Sequence, residues 1–140
     1  MAVLRDKVND VEMTLRPYRV SEEGEPVWIL TQLQLKHRGV TLLSTTLSIT
    51  SEDLAALESR LSELARGLLT HFALTTTDDD FVIEGERMER EGDVSVWFWV
   101  GEAYGLRKGY RFVTVVDDLE RFAGQLRSDQ STLAVPGQLP

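Results

Sequence analysis

The chain has 140 residues, the length of one ordinary domain, and 42% of them are hydrophobic, which is enough to build a core. Its 15 basic and 23 acidic residues give a formal net charge of -8, which argues against a protein that grips the phosphates of nucleic acid. The absence of cysteine excludes disulfides, zinc–thiolate sites and a cysteine nucleophile.

The lengths of the apolar runs indicate where in the cell the protein is found and whether it contacts a membrane. The first ten residues lack the apolar stretch of a signal peptide, and no segment approaches the roughly 20 apolar residues that a membrane span needs. We therefore expect a cytoplasmic protein with no membrane partner. From the acidic balance we expect no nucleic-acid partner, while the sequence leaves homo-oligomerisation open.

Three stretches of the first half have the pattern of β-strands. Residues 11–17 alternate apolar and polar side chains, which predicts a half-buried strand. Residues 27–36 and 40–49 are two more strands, joined by a short turn in which Gly39 is free to take a positive φ. The short connection predicts that these two strands are antiparallel neighbours.

The clearest element is a helix over residues 51–67, preceded by Thr50 and with Asp53 in its first turn. This pair is typical of a helix N-terminus. Leucines recur at spacings of three and four and form one apolar stripe. They are Leu54, Leu57, Leu61, Leu64 and Leu68. The run is too short for a coiled coil, so we expect this helix to lie on a sheet.

The second half repeats this order. Strand patterns cover residues 81–90, 94–103 and 110–116, and a second amphipathic helix is predicted over residues 117–127. Its apolar face is formed by Leu119, Phe122, Ala123 and Leu126. The two helix segments align with one another, which indicates an internal pseudo-repeat. The sequence thus predicts an α+β fold, mainly antiparallel sheet with two amphipathic helices, in the order βββα–βββα.

One domain accounts for nearly all of the chain. We expect residues 1–127 to form this single α+β domain. Residues 128–140 have neither period nor charge pattern, so we expect a loose or extended C-terminal tail.

The stretch 94–100 is apolar at almost every position, unlike a strand with one wet face. Side chains alternate along a strand, so Trp97 and Trp99 share the face opposite Phe98. We expect a central strand that is covered on both faces, with the two tryptophans buried within the chain. If they are exposed instead, they mark a binding surface.

Carboxylates cluster just before this strand. Asp78, Asp79 and Asp80 are consecutive, but their spacing matches no calcium-binding loop, and we expect a solvated turn. Glu84 and Glu86 point to one side of a strand; they are close enough for acid–base catalysis, yet an exposed strand has the same pattern. As candidate partner-binding residues we name these five carboxylates, together with Trp97 and Trp99 if the two rings are exposed.

No catalytic motif can be assembled from the remaining residues. His37 and His71 are the only histidines, and neither has a serine or carboxylate at motif spacing. The basic residues Arg107, Lys108 and Arg111 have the pattern of a solvated loop. We therefore assign no catalytic, cofactor-binding or metal-binding residue, and predict a protein without a cofactor.

The stretch from Val27 to Arg127 resembles the WapI-type immunity proteins and related uncharacterised bacterial domains. The likeness lies in the paired strands leading into ITSEDLAALESRLSEL, then in FVIEGE, VSVWFWVGEA and YRFVTVVDDLERFAGQL. It is a likeness of pattern and carries no set of functional residues. It implies a small bacterial α+β protein, encoded beside a toxin that it binds and neutralises.

Three functions remain open. The first is a non-enzymatic protein that binds another protein, such as a toxin encoded nearby, through an acidic surface. The alternatives are an assembly or interaction module with another role, or a small-ligand-binding or enzymatic domain with an unrecognised pocket.

Overall fold

The computed structural model describes residues 1–22, 24–90, 92–101 and 107–133. In these residues, four strands followed by a helix occur twice. The first half consists of β1 (Ala2–Asp6), β2 (Val11–Glu22), β3 (Trp28–His37), β4 (Val40–Thr50) and α1 (Ser51–Ala65). The second half consists of β5 (His71–Thr75), β6 (Phe81–Arg87), β7 (Asp93–Val100), β8 (Lys108–Val115) and α2 (Val116–Ser131).

The α+β class with antiparallel sheet, two helices and a repeated order is confirmed. Each half has four strands rather than three, because β1 and β5, both five residues long, precede the strands that the sequence pattern indicates. Each half forms its own antiparallel sheet, in the orders β1-β2-β3-β4 and β5-β6-β7-β8. In both sheets, neighbours in space are neighbours in sequence, as short connections require.

One hydrophobic core joins the two sheets and the two helices. The buried strand residues, such as Leu33 in β3 and Phe98 in β7, alternate with more exposed ones, so each sheet has an inner and an outer face. Four leucines of the α1 stripe and the apolar face of α2 lie in the same core, among them Leu57, Leu61 and Phe122. The fifth predicted member of the stripe, Leu68, is 71% exposed, because α1 ends at Ala65 and not at residue 67. Most of the outer-face side chains are partly or fully exposed to solvent.

Local interactions fix both ends of α1. Thr50 is the N-cap residue, and its hydroxyl accepts a hydrogen bond from the backbone N–H of Asp53 at 3.1 Å. At the other end, Arg87 donates from Nε to the carbonyl of Leu64 at 3.0 Å and from Nη2 to that of Ala65 at 2.8 Å. A cation at the helix C-terminus also interacts favourably with the helix dipole.

Gly85 allows α1 to approach the second sheet closely. A side chain at this position of β6 would place its Cβ 2.5 Å from Cε1 of Phe72 and 2.7 Å from Cδ2 of Leu64. Real Cβ contacts are longer, so only glycine fits between the helix and the strand at this spacing.

The second helix differs in extent from the prediction. It begins at Val116 after Val115, which makes no side-chain cap, and it continues to Ser131, past the predicted end at residue 127. The expectation of a loose or extended tail from residue 128 is therefore wrong for residues 128–131, and residues 134–140 lie outside the described part. Across the described residues, no helix is both long and apolar enough to span a membrane.

A buried carboxylate joins the two sheets. Asp6, at the end of β1, accepts hydrogen bonds from the backbone N–H groups of Val8 and Val113 at Oδ1, and from Asn9 and Tyr110 at Oδ2, all at 3.1–3.2 Å. The neighbouring N–H of Lys7 donates to the carbonyl of Val113 at 2.9 Å. The edges of β1 and β8 thus meet, and the buried Asp6 carboxylate is satisfied by four donors.

Candidate protein-binding face

The outer face of the second sheet brings aromatic and charged side chains together. Cross-strand pairing places Val82, Trp99 and Gly109 in one row, Glu84, Trp97 and Arg111 in the next, and Glu86, Ser95 and Val113 in a third. We call these nine residues the tryptophan face. Their neighbours along the strands, such as Ile83, Phe98 and Phe112, point into the core.

Trp97 and Trp99 lie side by side on this face. Their ring centroids are 5.9 Å apart and their planes differ by 8°, so the rings are stacked. Trp97 is 41% exposed and Trp99 is partly buried. The strand β7 is central, as expected, but full cover of both its faces is wrong, because Trp97 remains in contact with solvent.

Arg111 and Gly109 of β8 hold the two rings in place. The guanidinium carbon of Arg111 lies 5.5 Å from the centroid of the Trp97 ring, and Nε of Arg111 donates to the Ser95 hydroxyl at 2.9 Å. Trp99 lies over Gly109, where an added Cβ would come 2.7 Å from Cδ1 of the indole. The open position at Gly109 thus accepts the ring of Trp99 and orients it.

Sequence reasoning missed both of these contacts. Arg111 lies in β8, as the strand pattern over residues 110–116 predicts, and the interpretation of this basic residue as part of a solvated loop is wrong. The alternation of Gly109 and Arg111 is visible in the sequence. The residues that they face depend on the register between β7 and β8, for which the sequence carries no direct signal.

Glu84 and Glu86 give the face its negative side. Glu84 lies directly opposite Trp97 and Glu86 opposite Ser95, so Trp97 has a carboxylate on one side and the Arg111 guanidinium on the other. Neither glutamate makes an ion pair or side-chain hydrogen bond with any residue that the structure describes. Both carboxylates are therefore available to an external cation.

Asp78, Asp79 and Asp80 lie at the margin of the face, in the turn between β5 and β6. The backbone N–H of Gly101, two residues after Trp99, donates to the carbonyl of Asp80 at 3.0 Å, which puts the turn at the Trp99 end. Asp79 is ion-paired with Arg107 at 3.4 Å, so part of its charge is neutralised. Asp78 lines a groove with Ser21, Trp28 and Ser48 of the first sheet. The seven predicted residues thus form a face of four and a separate turn of three.

The same turn contacts the start of α1. The carboxylate of Asp53 accepts hydrogen bonds from the backbone N–H and the hydroxyl of Thr77, both at 2.8 Å. Burial raises the pKa of the Asp80 carboxyl above its usual 3.8; a hydrogen bond from Thr76 opposes this rise, and the nearby charge of Asp78 adds to it.

An open groove of about 360 Å³ adjoins the tryptophan face. It shares Glu86, Ser95 and Arg111 with the face, and its other lining residues are Arg87, Met88, Glu89 and Arg90. Charged side chains of both signs line it, unlike the mostly apolar cavities that hold small ligands. Among the described residues, no group of three or more histidine, aspartate or glutamate side chains is arranged to hold a metal ion.

Comparison with known proteins gives distant structural likenesses only. No protein-family model matches the chain, and no curated protein matches it. The plant transcriptional regulator PBF-2 has a TM-score of 0.44 at 8% identity, over 86% of this chain and 74% of that one. The MRP1/MRP2 proteins of Trypanosoma brucei have a TM-score of 0.49 at 10% identity, over 94% of this chain and 84% of that one. Neither likeness is close enough to carry an argument about function.

Proposed function

We propose that this chain acts by binding another protein through the tryptophan face. The observation that carries the proposal is the stacked pair of Trp97 and Trp99, which stays partly exposed on an outer sheet face. Protein interfaces are enriched in tryptophan and arginine, and residues of these types supply a large share of the binding energy. Trp97 with Arg111 and Ser95 already has the fixed geometry of such an anchor, so little side-chain entropy is lost when a partner binds.

Charge supports a basic partner. The chain has a formal net charge of -8, and Glu84 and Glu86 lie beside the aromatic pair without a described ion partner. A basic patch on a partner would be drawn to this face and would then find the tryptophans at its centre. Charge complementarity of this kind acts mainly on the association rate, whereas the aromatic contact acts mainly on the dissociation rate.

The resemblance to the WapI-type immunity proteins suggests which partner binds this face: a toxin. A toxin that cleaves nucleic acid needs a basic cleft for its substrate. An acidic and aromatic face can occupy that cleft, and the chain then works as an immunity protein without any chemistry of its own. The assembly-module alternative uses the same face with a partner that is not a toxin.

The test is binding kinetics against the protein encoded by the neighbouring gene, over a salt series. We expect Trp97→Ala to raise the dissociation rate and to weaken binding by about 2 kcal/mol, which is roughly 30-fold in Kd. Glu84→Gln with Glu86→Gln should lower the association rate several-fold at low salt, with the difference shrinking as salt screens the charges.

A matched control separates the face from the general acidity of the chain. Glu25→Gln with Glu52→Gln removes two exposed carboxylates elsewhere on the surface and should leave both rates close to those of the parent. Equal effects of the two double variants would rule out a specific role for Glu84 and Glu86. Unchanged binding by Trp97→Ala would show that the tryptophan face is not the interface.

A further inference from the structure

The two sheets have four edge strands, and three of them are short or protected. The edges of β1 and β8 meet through the hydrogen bonds of Lys7 and Asp6 to Val113, and α2 packs beside β1. β5 is five residues long and packs against α1. The fourth edge is β4, which has eleven residues and pairs with β3 on one side.

Among the described residues, none hydrogen-bonds to the backbone groups of residues 40–47 that face away from β3. In the part of the chain that the structure describes, no backbone or side-chain hydrogen bond reaches these residues apart from their pairing with β3 and a bond from Gln34 to the Ser44 hydroxyl. An edge strand of this kind presents a row of N–H and C=O groups that can pair with another strand.

The composition of β4 does nothing to block such pairing. Natural edge strands are protected by lysine, proline or a short length, but β4 (VTLLSTTLSIT) has no charged residue and no proline. It carries one irregularity, a bulge at Leu42, and is regular from Leu43 onward. Val40 and Leu42 are 64% and 52% exposed, so the free edge is also partly apolar.

We propose that β4 pairs with β4 of a second copy of this chain. The two strands run antiparallel about a two-fold axis at Thr45, so that Ser44 of one copy lies opposite Thr46 of the other. The two first sheets then form one continuous sheet of eight strands. An interface that is the same patch on both copies closes at the dimer.

A second copy is the occupant that we propose, because self-pairing of β4 brings no like charges together within the strand pair. Two chains with a formal net charge of -8 repel each other over most of their surfaces. The uncharged edge of β4 is the place where two copies can approach without bringing like charges together, because every cross-strand pair in it is uncharged. The dimer should therefore strengthen as salt screens the remaining repulsion, whereas binding of a basic partner to the tryptophan face should weaken.

The test is sedimentation equilibrium of the whole chain over a concentration series, at low and high salt. We expect a reversible monomer–dimer equilibrium whose dimer fraction rises with salt. Ser44→Lys with Thr46→Lys puts lysines opposite each other across the two-fold axis and should abolish the dimer. Ser44→Lys with Thr46→Glu puts lysine opposite glutamate and should retain it, although both variants change the same two exposed positions.

Val3→Lys with Val8→Lys is the control, because it adds two lysines at exposed positions in and just after β1, at the opposite edge of the first sheet from β4, and should leave the dimer intact. Circular dichroism melting checks that each variant is folded. A parent chain that is monomeric at every concentration and salt would overturn the proposal. Equal behaviour of the two Ser44 and Thr46 variants would overturn it as well. No binding partner is needed, so this result is separate from that of the proposed function.

Discussion

Among the described residues, glycine permits a close approach of neighbouring side chains at two positions. At Gly85 the missing side chain makes room for Leu64 of α1 and for Phe72, and at Gly109 it makes room for the Trp99 ring. The first contact lies in the core and the second on the tryptophan face. One residue type thus fixes the distance between helix and sheet inside, and the position of an aromatic ring outside.

Gly85→Ala should destabilise the fold by about 1–3 kcal/mol, because the new methyl group overlaps Phe72 and Leu64 and the helix must shift. The measurement is equilibrium unfolding in denaturant. Gly124→Ala is the matched control: Gly124 lies within α2 with nothing within 4 Å of an added Cβ, so this change should stabilise by about 0.5–1 kcal/mol. Changes of the same sign in the two variants would contradict the close approach at Gly85.

Asp80 gives a prediction about pH. Burial raises the pKa of its carboxyl in the folded chain, so the folded state holds the proton more tightly than the unfolded state does. This contribution to stability is full below the usual pKa of 3.8 and is lost as pH rises through the higher folded pKa.

Asp80→Asn lacks that loss, so its stability relative to the parent should grow as the pH is raised from about 3 to 7. Denaturant unfolding at several pH values measures the difference. A difference between Asp80→Asn and parent that does not change with pH would contradict the raised pKa.

Only some residues of the tryptophan face could be placed from the sequence. Strand alternation is local, so it placed Trp97 and Trp99 together and Glu84 with Glu86. The exposure of Trp97 depends on what lies over the outer face, which is a property of the whole packing. Asp78 to Asp80 were grouped with the glutamates because they are near in sequence, but the turn directs them to its own end of the sheet.

At the scale of elements, α1 is the helix that its own sequence and contacts specify most clearly. Its leucine stripe, its N-cap at Thr50 and its C-terminal contact with Arg87 all favour a helix over the same segment. Leu61→Asp should cost roughly 3–5 kcal/mol, because it places an unpaired charge in the core where Leu61 is fully buried. Ser59→Asp, on the exposed side of α1, should change stability little. Thermal melting of the two variants measures the difference in stability. Equal melting temperatures would contradict the burial of Leu61 in the core.

Elements with weak local patterns were the ones that the sequence did not reveal. Buried and exposed residues alternate along β1, but its third buried residue is Asp6. A charged side chain is normally expected on the solvent side, and only the four hydrogen-bond donors around Asp6 explain its burial. β5 follows α1 so closely that its two inward residues, Phe72 and Leu74, merge with the leucines of the helix end. The last turn of α2 is polar and has no apolar period, so its helical extent beyond residue 127 could not be seen.

At the scale of the whole molecule, the two halves are joined through Asp6. Burial raises the pKa of Tyr110, and its hydrogen bond to the Asp6 carboxylate adds to the rise. Lys7 adds an ion pair with Asp93 at 2.6 Å beside the same joint. The association of the two sheets thus depends on polar contacts at one edge as well as on the shared core.

Asp6→Ala should destabilise by about 2–3 kcal/mol, because it removes the buried acceptor of four part-buried hydrogen bonds, which come from Val8, Val113, Asn9 and Tyr110. Asp10→Asn is the control: it removes an exposed ion pair with Arg38, keeps a residue that tolerates the positive φ of 56° at this position, and should cost less than about 1 kcal/mol. Denaturant unfolding compares the two. Comparable small losses would show that Asp6 is not needed to hold the sheets together.

The joint between β1 and β8 has a kinetic consequence. Asp6 and Tyr110 are 104 residues apart in the chain, so this contact closes only after a long loop has been brought together. During synthesis the first sheet emerges with both of its edges bare, and β1 gains its neighbours α2 and β8 only when they have been made. Folding is therefore expected to be slow for a chain of this size, and the half-made chain is the form most exposed to aggregation.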